Sequence, residues 1–337
     1  MVASKTSMIM VGVGGMARHH LRTILKMRRN TSVVGYVEVS ENQRQLTMDL
    51  HQELQIPCPP FYVNIKELVK AQGAADTAFI ITPHKFHLDN TIDCMKAGMD
   101  VLLEKPMVLN ENEAKRMIRS RDKEGRLLVV AFPGSLSPAV KKAKAMIASG
   151  KLGTIRSISA FAHQQWQVAT KGAWRQIPDI SGGGFLFDTG SHMINTVVDL
   201  GGDDVGEVCA IMDNCGSPVE IRSTISGRFR SGVQFSLAAA GDSMQCCSSI
   251  TVIGDKGILE TGIWGERLLY RNHKTNEMKA IKTPTYKGVW EQFLKVRAGK
   301  MENPCPAEVG LRFARLMDLI RKSNESGKTT RSRASRI

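Results

Sequence analysis

Aromatic residues are scarce: 4 Trp, 4 Tyr and 11 Phe make up 6% of 337 residues. None interleaves with the basic clusters, so the chain lacks the stacking platform of a single-strand nucleic-acid binder, and no nucleic-acid partner is expected. Long apolar runs are missing too. A membrane span needs roughly 18 consecutive apolar residues, nothing in the chain approaches that, and no membrane partner is expected. The seven cysteines, at 58, 94, 209, 215, 246, 247 and 305, are odd in number and show no CxxC spacing. Neither a disulfide framework nor a zinc ribbon follows from them, and no metal is expected. "MVASKTSMIMVGVGG" passes from one lysine straight into a strand-like run without the basic, apolar and small-residue series of a leader, so a cytoplasmic location is expected. No internal repeat recurs at a fixed period.

What is present is a basic excess, with 46 Lys and Arg against 32 Asp and Glu and a formal charge of +14. Most of it is dispersed. In "ARHHLRTILKMRR" the residues Arg18, Arg22 and Lys26 recur every four positions and form one stripe of a helix, which reads as a solvated face. "KTTRSRASRI" has basic residues without an apolar pattern and reads as a flexible tail over 326–337.

Length and an ordinary composition, 42% hydrophobic and 23% charged, suggest two globular domains. Over 1–131, short apolar runs alternate with helical patterns: "MIMVGV", "SVVGYVEV", "TAFIIT", "DVLL" and "LLVVAF". That alternation predicts an α/β fold, a doubly wound parallel sheet of the Rossmann kind. Near 132 the pattern changes. "SLSPAVKKAKAMIASG" reads as a helix capped by Ser137, with Pro138 in its first turn and Gly150 as its stop. Strand-like runs follow at 154–162, 205–213, 219–229, 233–240, 248–253, 257–262, 266–271 and 277–282, and helices at 286–299 and 306–323. The expectation for 132–325 is an α+β domain with a large, mainly antiparallel open sheet, one face of which needs cover and is expected to form a homodimer or homotetramer.

"MVGVGGMA" sets Gly12, Gly14 and Ala17 in GxGxxA spacing between strand and helix. The first glycine makes the turn, the second lets backbone approach a pyrophosphate, and the small third residue allows close packing, so Gly12, Val13, Gly14, Gly15, Met16 and Ala17 are candidates for holding a dinucleotide. A bare glycine turn is the plain alternative. Glu38 lies 26 residues after Gly12, near the distance at which an acidic residue takes the ribose hydroxyls. NAD is favoured, and Arg44 a few residues on leaves NADP open. In "ITPHKFH" the loop residues Thr82 and Pro83 are placed to hold the nicotinamide half. His84 or His87 faces the same crevice, His87 assigned to cofactor and His84 to substrate; an ordinary structural histidine is the alternative for each.

"DVLLEKPM" is an apolar strand that ends in Glu104, Lys105 and Pro106. Ligands of doubly wound sheets sit outside the carboxyl ends of the strands, so these three residues fall where a cofactor's reactive ring belongs. An ammonium there steadies an alcohol oxygen as it gains negative character. The second polar cluster is "SGGGFLFDTGSHMINTVVDLGG", in which Asp188, His192, Asn195 and Asp199 fall at i, i+4, i+7 and i+11 of a helix. Asp188 can orient His192, and an imidazole suits a base that removes a hydroxyl proton. The plain alternative is the wet side of a surface helix.

With "GVGGMA", "TPHKFH", "LLEKP" and "GGGFLFDTGSH" in this order, the chain resembles the glucose-fructose oxidoreductase, inositol dehydrogenase and MocA family from Ser7 to about Ser326. The resemblance implies Lys105, Asp188 and His192 as a catalytic trio, with Glu104 and Pro106 shaping the nicotinamide site. Two departures stand out. Such proteins carry an arginine or aromatic residue where this chain reads "FPGSLSP", and often an aspartate where it has Asn195. Trp174 and Arg175, in "GAWRQIP", occupy positions such enzymes use on the substrate side. The expected activity is oxidation of a secondary hydroxyl of a sugar, cyclitol or sugar derivative, with a small-molecule polyol or sugar as partner. Two other uses of the same parts are a cofactor-recycling lyase or glycosidase that oxidises only transiently, and a ligand-sensing regulator, which would lack the trio.

Overall fold

The computed structural model describes residues 5–275 and 277–332. The chain divides into two compact units, one running to Val108 and taking in Asn112–Ala131 and Lys287–Gly310, the other comprising Leu109–Glu111, Phe132–Tyr286 and the chain from Leu311 on.

The first unit holds six strands, β1 (Thr6–Val11), β2 (Thr31–Val37), β3 (Phe61–Tyr62), β4 (Thr77–Ile80), β5 (Asp100–Glu104) and β6 (Leu128–Ala131), in the order β3-β2-β1-β4-β5-β6. Every pairing is parallel. Helices cover both faces of such a sheet, which is why β1 and β5 read as unbroken apolar runs: Met8, Ile9, Met10, Val101, Leu102 and Leu103 are all fully buried. The chain order reverses between β1 and β4, and the crevice outside the strand ends at that point is the general ligand position of this topology. Helix Gly15–Ile24 buries Ala17, Leu21 and Ile24, one face at i, i+4 and i+7. The basic stripe lies on the other side, where Arg22 pairs with Glu53.

Residues 287–310 pack with this first unit rather than with the second domain expected over 132–325. Trp290 donates its indole N–H to Thr31 at 2.9 Å, and the Val130 amide donates to the Cys305 carbonyl at 2.9 Å.

Behind β2, Tyr36 donates its hydroxyl to His51 Nε2 at 2.6 Å, while His51 Nδ1 faces the Ile56 carbonyl at 3.2 Å. A carbonyl only accepts, so Nδ1 carries the proton and Nε2 receives the tyrosine. Burial pushes the His51 pKa below its ordinary value, against a smaller pull from the Ile56 and Pro57 carbonyls. The neutral ring is the folded form, so the stability it confers is present above the ordinary histidine pKa of about 6.5 and is lost as pH falls through the depressed folded value. Glu220 and Asp318, whose carboxyls burial pushes up, act in the opposite sense, lending stability that is lost as pH rises through their folded values. The difference between wild type and His51→Gln isolates the histidine. Chemical denaturation is expected to give a stability gap that narrows as pH drops from about 7.5 to about 5; a gap constant with pH contradicts the assignment.

The second unit carries nine strands: β7 (Ile155–His163), β8 (Val205–Asp213), β9 (Arg222–Phe229), β10 (Gln234–Ala240), β11 (Cys247–Gly254), β12 (Gly257–Thr261), β13 (Leu268–Asn272), β14 (Lys279–Ala280) and β15 (Thr330–Arg331). Their order is β14-β13-β12-β11-β7-β10-β9-β8-β15, antiparallel except where β10 runs parallel to β7. Alternation sorts the two faces. Ile158, Ala160, Ile225, Leu237 and Ile250 point inward and are buried, whereas Ser159, Phe161, Ser226, Ser236 and Ala238 are exposed on the outer face. Of the stretch expected as a flexible tail, Thr330–Arg331 instead pairs with β8, and residues 333–337 lie outside the described residues.

Ser137 caps helix Pro138–Ala148 by accepting the Ala139 amide, with Gly150 at φ +71° just past its end. No helix among the described residues is long and apolar enough to cross a membrane.

Candidate active site

In the first unit the candidate residues gather at the carboxyl ends of β1, β2, β4 and β5. Gly12 has φ +83°, and a Cβ there would meet the Ile81 carbonyl oxygen at 2.7 Å, so β1 can turn this close to the end of β4 only with glycine. Gly14 and Gly15 differ: a Cβ on either would meet nothing within 4 Å. Gly14 caps helix Gly15–Ile24 with no side-chain hydrogen bond, and the first turn carries no acidic residue. The first-turn amides of a helix that starts on glycine in this way, with no acidic side chain on them, suit the binding of a pyrophosphate. Ala17 is fully buried and Met16 about half exposed, which fits the packing role expected of the former.

Glu38 reaches the same turn. Its Oε2 accepts the Val13 amide at 2.9 Å and its Oε1 the Val39 and Ser40 amides, each at 2.9 Å. Arg44 donates to the Glu38 carbonyl rather than to its carboxylate. Arg18 donates to the Val13 carbonyl and to Gln43, both at 2.7 Å. A carboxylate braced by three amides at the dinucleotide turn fits a ribose diol better than a phosphate. The glycine turn, the open helix end and this carboxylate together fit NAD.

Glu104, at the end of β5, is buried. His20 Nε2 lies 2.9 Å from its Oε1, and the Lys105 amide donates to its Oε2 at 3.1 Å. Burial pushes the carboxyl up, but the hydrogen bond and charge of His20, together with the charge and amide of Lys105, outweigh it, so the pKa lies below the usual carboxylate range. Lys105 is half-buried, and its bond to Pro106 is cis.

His87 is not a crevice residue. It is fully buried, with Nδ1 2.8 Å from the Pro106 carbonyl and Nε2 2.9 Å from the Thr82 carbonyl, and so ties the segment after β4 to the segment after β5. It therefore braces the Thr82 and Pro106 carbonyls. His84, in the short turn His84–Phe86 after Pro83, is buried with its ring edge-on to His87, the centroids 5.6 Å apart.

In the second unit the expected single helix is two pieces, Phe185–Asp188 and Gly190–Gly201, joined through Thr189 in helical conformation. Every residue from Gly190 to Leu200 is buried, which excludes the reading of a wet surface face. The glycines ahead of it serve packing. A Cβ on Gly184 would meet the Glu220 carbonyl oxygen at 2.0 Å, and one on Gly183 the Phe187 Cβ at 2.6 Å. Here the lead-in lies directly against the chain at Glu220, whose carbonyl accepts the Phe185 amide.

The polar stripe splits into two groups with separate partners. Asp188 Oδ2 accepts the Trp166 indole N–H at 2.9 Å and Arg175 Nε at 3.0 Å, and the Arg175 guanidinium stacks on Trp174 at 4.5 Å. Arg175 thus holds the aspartate, with Trp174 as its platform. His192 is buried beside Phe132 and Trp264, with ring centroids at 6.2 and 5.9 Å. Asn195 and Asp199 belong to a structural network. Asn195 donates to Ser135 at 2.7 Å, Ser135 to Asp199 at 2.5 Å, and Arg312 to Asp199 at 2.6 Å. The chain's two departures, Ser135 in "FPGSLSP" and Asn195, are therefore hydrogen-bonded to each other. His20, Trp166 and Arg312 went unnoticed in the sequence, because each meets its partner only through folding.

Comparison with known proteins bears on the family and the fold. Residues 6–132 match the model of an oxidoreductase family with an NAD-binding Rossmann fold, and residues 140–260 match the GFO/IDH/MocA C-terminal domain. Oxidoreductase P35 of Formosa agariphila is 26% identical over 256 residues, covering 73% of this chain and 78% of that protein. The trans-1,2-dihydrobenzene-1,2-diol dehydrogenase of Bos taurus is 28% identical over 204 residues, 60% of this chain and 59% of that protein, so the match spans only about three fifths of its length. Among solved structures, the WlbA dehydrogenase of Bordetella pertussis, in complex with NADH and UDP-GlcNAcA, shares the fold with a TM-score of 0.82 at 22% identity, covering 98% of this chain and all of that one. Both halves of the chain thus match in order, and the protein belongs to the Gfo/Idh/MocA family as an NAD(P)-dependent oxidoreductase.

Proposed function

We propose that this protein is an NAD-dependent dehydrogenase that oxidises a secondary hydroxyl of a sugar, cyclitol or sugar derivative. The observation that carries the reading is that His192 sits on a buried helix, beside Phe132 and Trp264 and four residues after Asp188, whose carboxylate is fixed by Trp166 and Arg175. Buried titratable groups held in fixed orientation are candidates for a site. Lys105, at the carboxyl end of β5, supplies the second group. The name of the diol dehydrogenase relative supports an alcohol substrate.

The nicotinamide, when bound, supplies the acceptor for the hydride that leaves the carbinol carbon. His192 takes the hydroxyl proton, and Asp188 steadies the imidazolium that results. Lys105 donates to the oxygen as the C–O bond gains double-bond character, which leaves a ketone. Glu38 favours NAD over NADP, since a 2′-phosphate would meet its carboxylate.

The test is a screen of sugars and cyclitols with NAD and with NADP, following reduced-nicotinamide absorbance. At least one polyol is expected to give net NADH, with NAD preferred by about tenfold or more in kcat/KM. Product formed without net NADH would mean the cofactor is recycled and would overturn the reading, as would no reaction with any polyol.

A further inference from the structure

The segment Leu109–Glu111 belongs to the second unit, although Val108 before it and Asn112 after it belong to the first. Three side chains of helix Ala307–Ser326 hold it there. Arg321 Nη1 donates to the Leu109 carbonyl at 3.2 Å, the Glu111 amide donates to Asp318 Oδ2 at 3.1 Å, and Arg315 Nε donates to Glu111 Oε1 at 2.9 Å. Arg321 does more than its neighbours. Its Nη2 donates to the Gly182 carbonyl at 2.5 Å, its Nη1 also reaches Asp318 Oδ1 at 3.3 Å, and its guanidinium lies over the Phe187 ring at 5.0 Å. Gly182 is itself packed on this segment, since a Cβ there would meet Leu109 Cδ2 at 2.5 Å.

In sequence, Leu109 is four residues after Lys105, and Gly182 is six before Asp188 and ten before His192. One guanidinium therefore fastens the chain just past the lysine to the chain just ahead of the aspartate and histidine. A planar fork with donors on two nitrogens can satisfy two carbonyls at once, which a single ammonium does less well. We infer that Arg321 is a positioning residue of the reaction, its guanidinium joining the Leu109 and Gly182 carbonyls within the second unit so that the lead-in to the Asp188–His192 helix is held in place by one side chain. The inference rests on the function proposed above, because it matters for turnover only if His192 serves the reaction.

The experiment compares the full chain with Arg321→Gln and Arg321→Lys by three readouts: amide hydrogen exchange over 106–111 and 182–184, NADH affinity by fluorescence, and kcat with KM on a polyol that gives NADH. In Arg321→Gln, exchange in both segments is expected to rise by about tenfold or more. Its kcat should fall roughly 10- to 100-fold, the scale of a small misplacement of catalytic groups, with NADH affinity within about twofold of wild type. Arg321→Lys, which keeps the charge but not the fork, is expected to recover only a minor part of the lost rate. The inference is overturned if exchange is unchanged in either variant, if lysine restores full turnover, or if turnover and NADH affinity fall together. Wild type that turns over no polyol would count against the proposed function alone, and the exchange result would still decide whether Arg321 holds the two segments.

Discussion

Lys105→Met is expected to lower kcat on the active polyol by about 10²- to 10³-fold, the usual cost of removing one donor aimed at a developing oxyanion. Methionine keeps the apolar stem, so the change removes the ammonium with little loss of packing. The neighbourhood tolerates it, because Glu104 keeps its partner His20 at 2.9 Å and the backbone amide of residue 105 remains as a donor to Glu104. The glycine turn and Glu38 are untouched, so NADH should bind within about twofold of wild type. Stopped-flow or steady-state rates with a saturating polyol check this, and a kcat within about threefold of wild type would remove Lys105 from the chemistry.

Loss of the base should be as severe. His192→Asn is expected to reduce kcat by about 10²- to 10⁴-fold at neutral pH, the range for general-base catalysis. Asparagine is smaller and lacks the ring that faces Phe132 and Trp264, but it keeps a polar group at the inner end of the imidazole, and the hydrogen bond from the residue-192 amide to the Thr189 carbonyl is unchanged. The diagnostic feature is the pH profile. Hydroxide competes better as pH rises, so the gap between variant and wild type should narrow toward alkaline pH. A rate loss that stays the same across the pH range would point to a structural rather than a proton-accepting role.

Much of the fold was legible because its signals are local. Unbroken apolar runs in β1 and β5 mark strands buried on both faces, and period-two alternation in β7 and β10 marks strands with one exposed face. The cap Ser137–Pro138 and the stop at Gly150 were equally plain, since both are backbone chemistry written in single residues. The two-residue strand β3 (Phe61–Tyr62) was not legible, being too short for any period. Nor was the return of 287–310 to the first unit, which depends on contacts such as Trp290 with Thr31 across 259 positions.

The site follows the same division. Motif residues stood out, but their partners did not: His20 meets Glu104 from 84 residues away, Trp166 meets Asp188 from 22, and Arg312 meets Asp199 from 113. The position of His87 after a strand end suggests a crevice residue. A buried imidazole with a carbonyl at each nitrogen carries no mark in sequence that separates it from a ligand-facing one. Of the stripe Asp188, His192, Asn195 and Asp199, the last three lie on one helix and Asp188 on the short piece before it, and periodicity could not reveal that the far end is occupied by Ser135 and Arg312.

The central claim is that Lys105 and His192 serve one alcohol in one proton-and-hydride event, and the double-mutant cycle on kcat tests it most directly. If the two groups work as a unit, Lys105→Met combined with His192→Asn should be slower than the worse single variant by no more than about tenfold. If each single variant loses rate and the losses multiply in full, or if either single variant turns over polyol like wild type, the two residues do not act together and the account is contradicted.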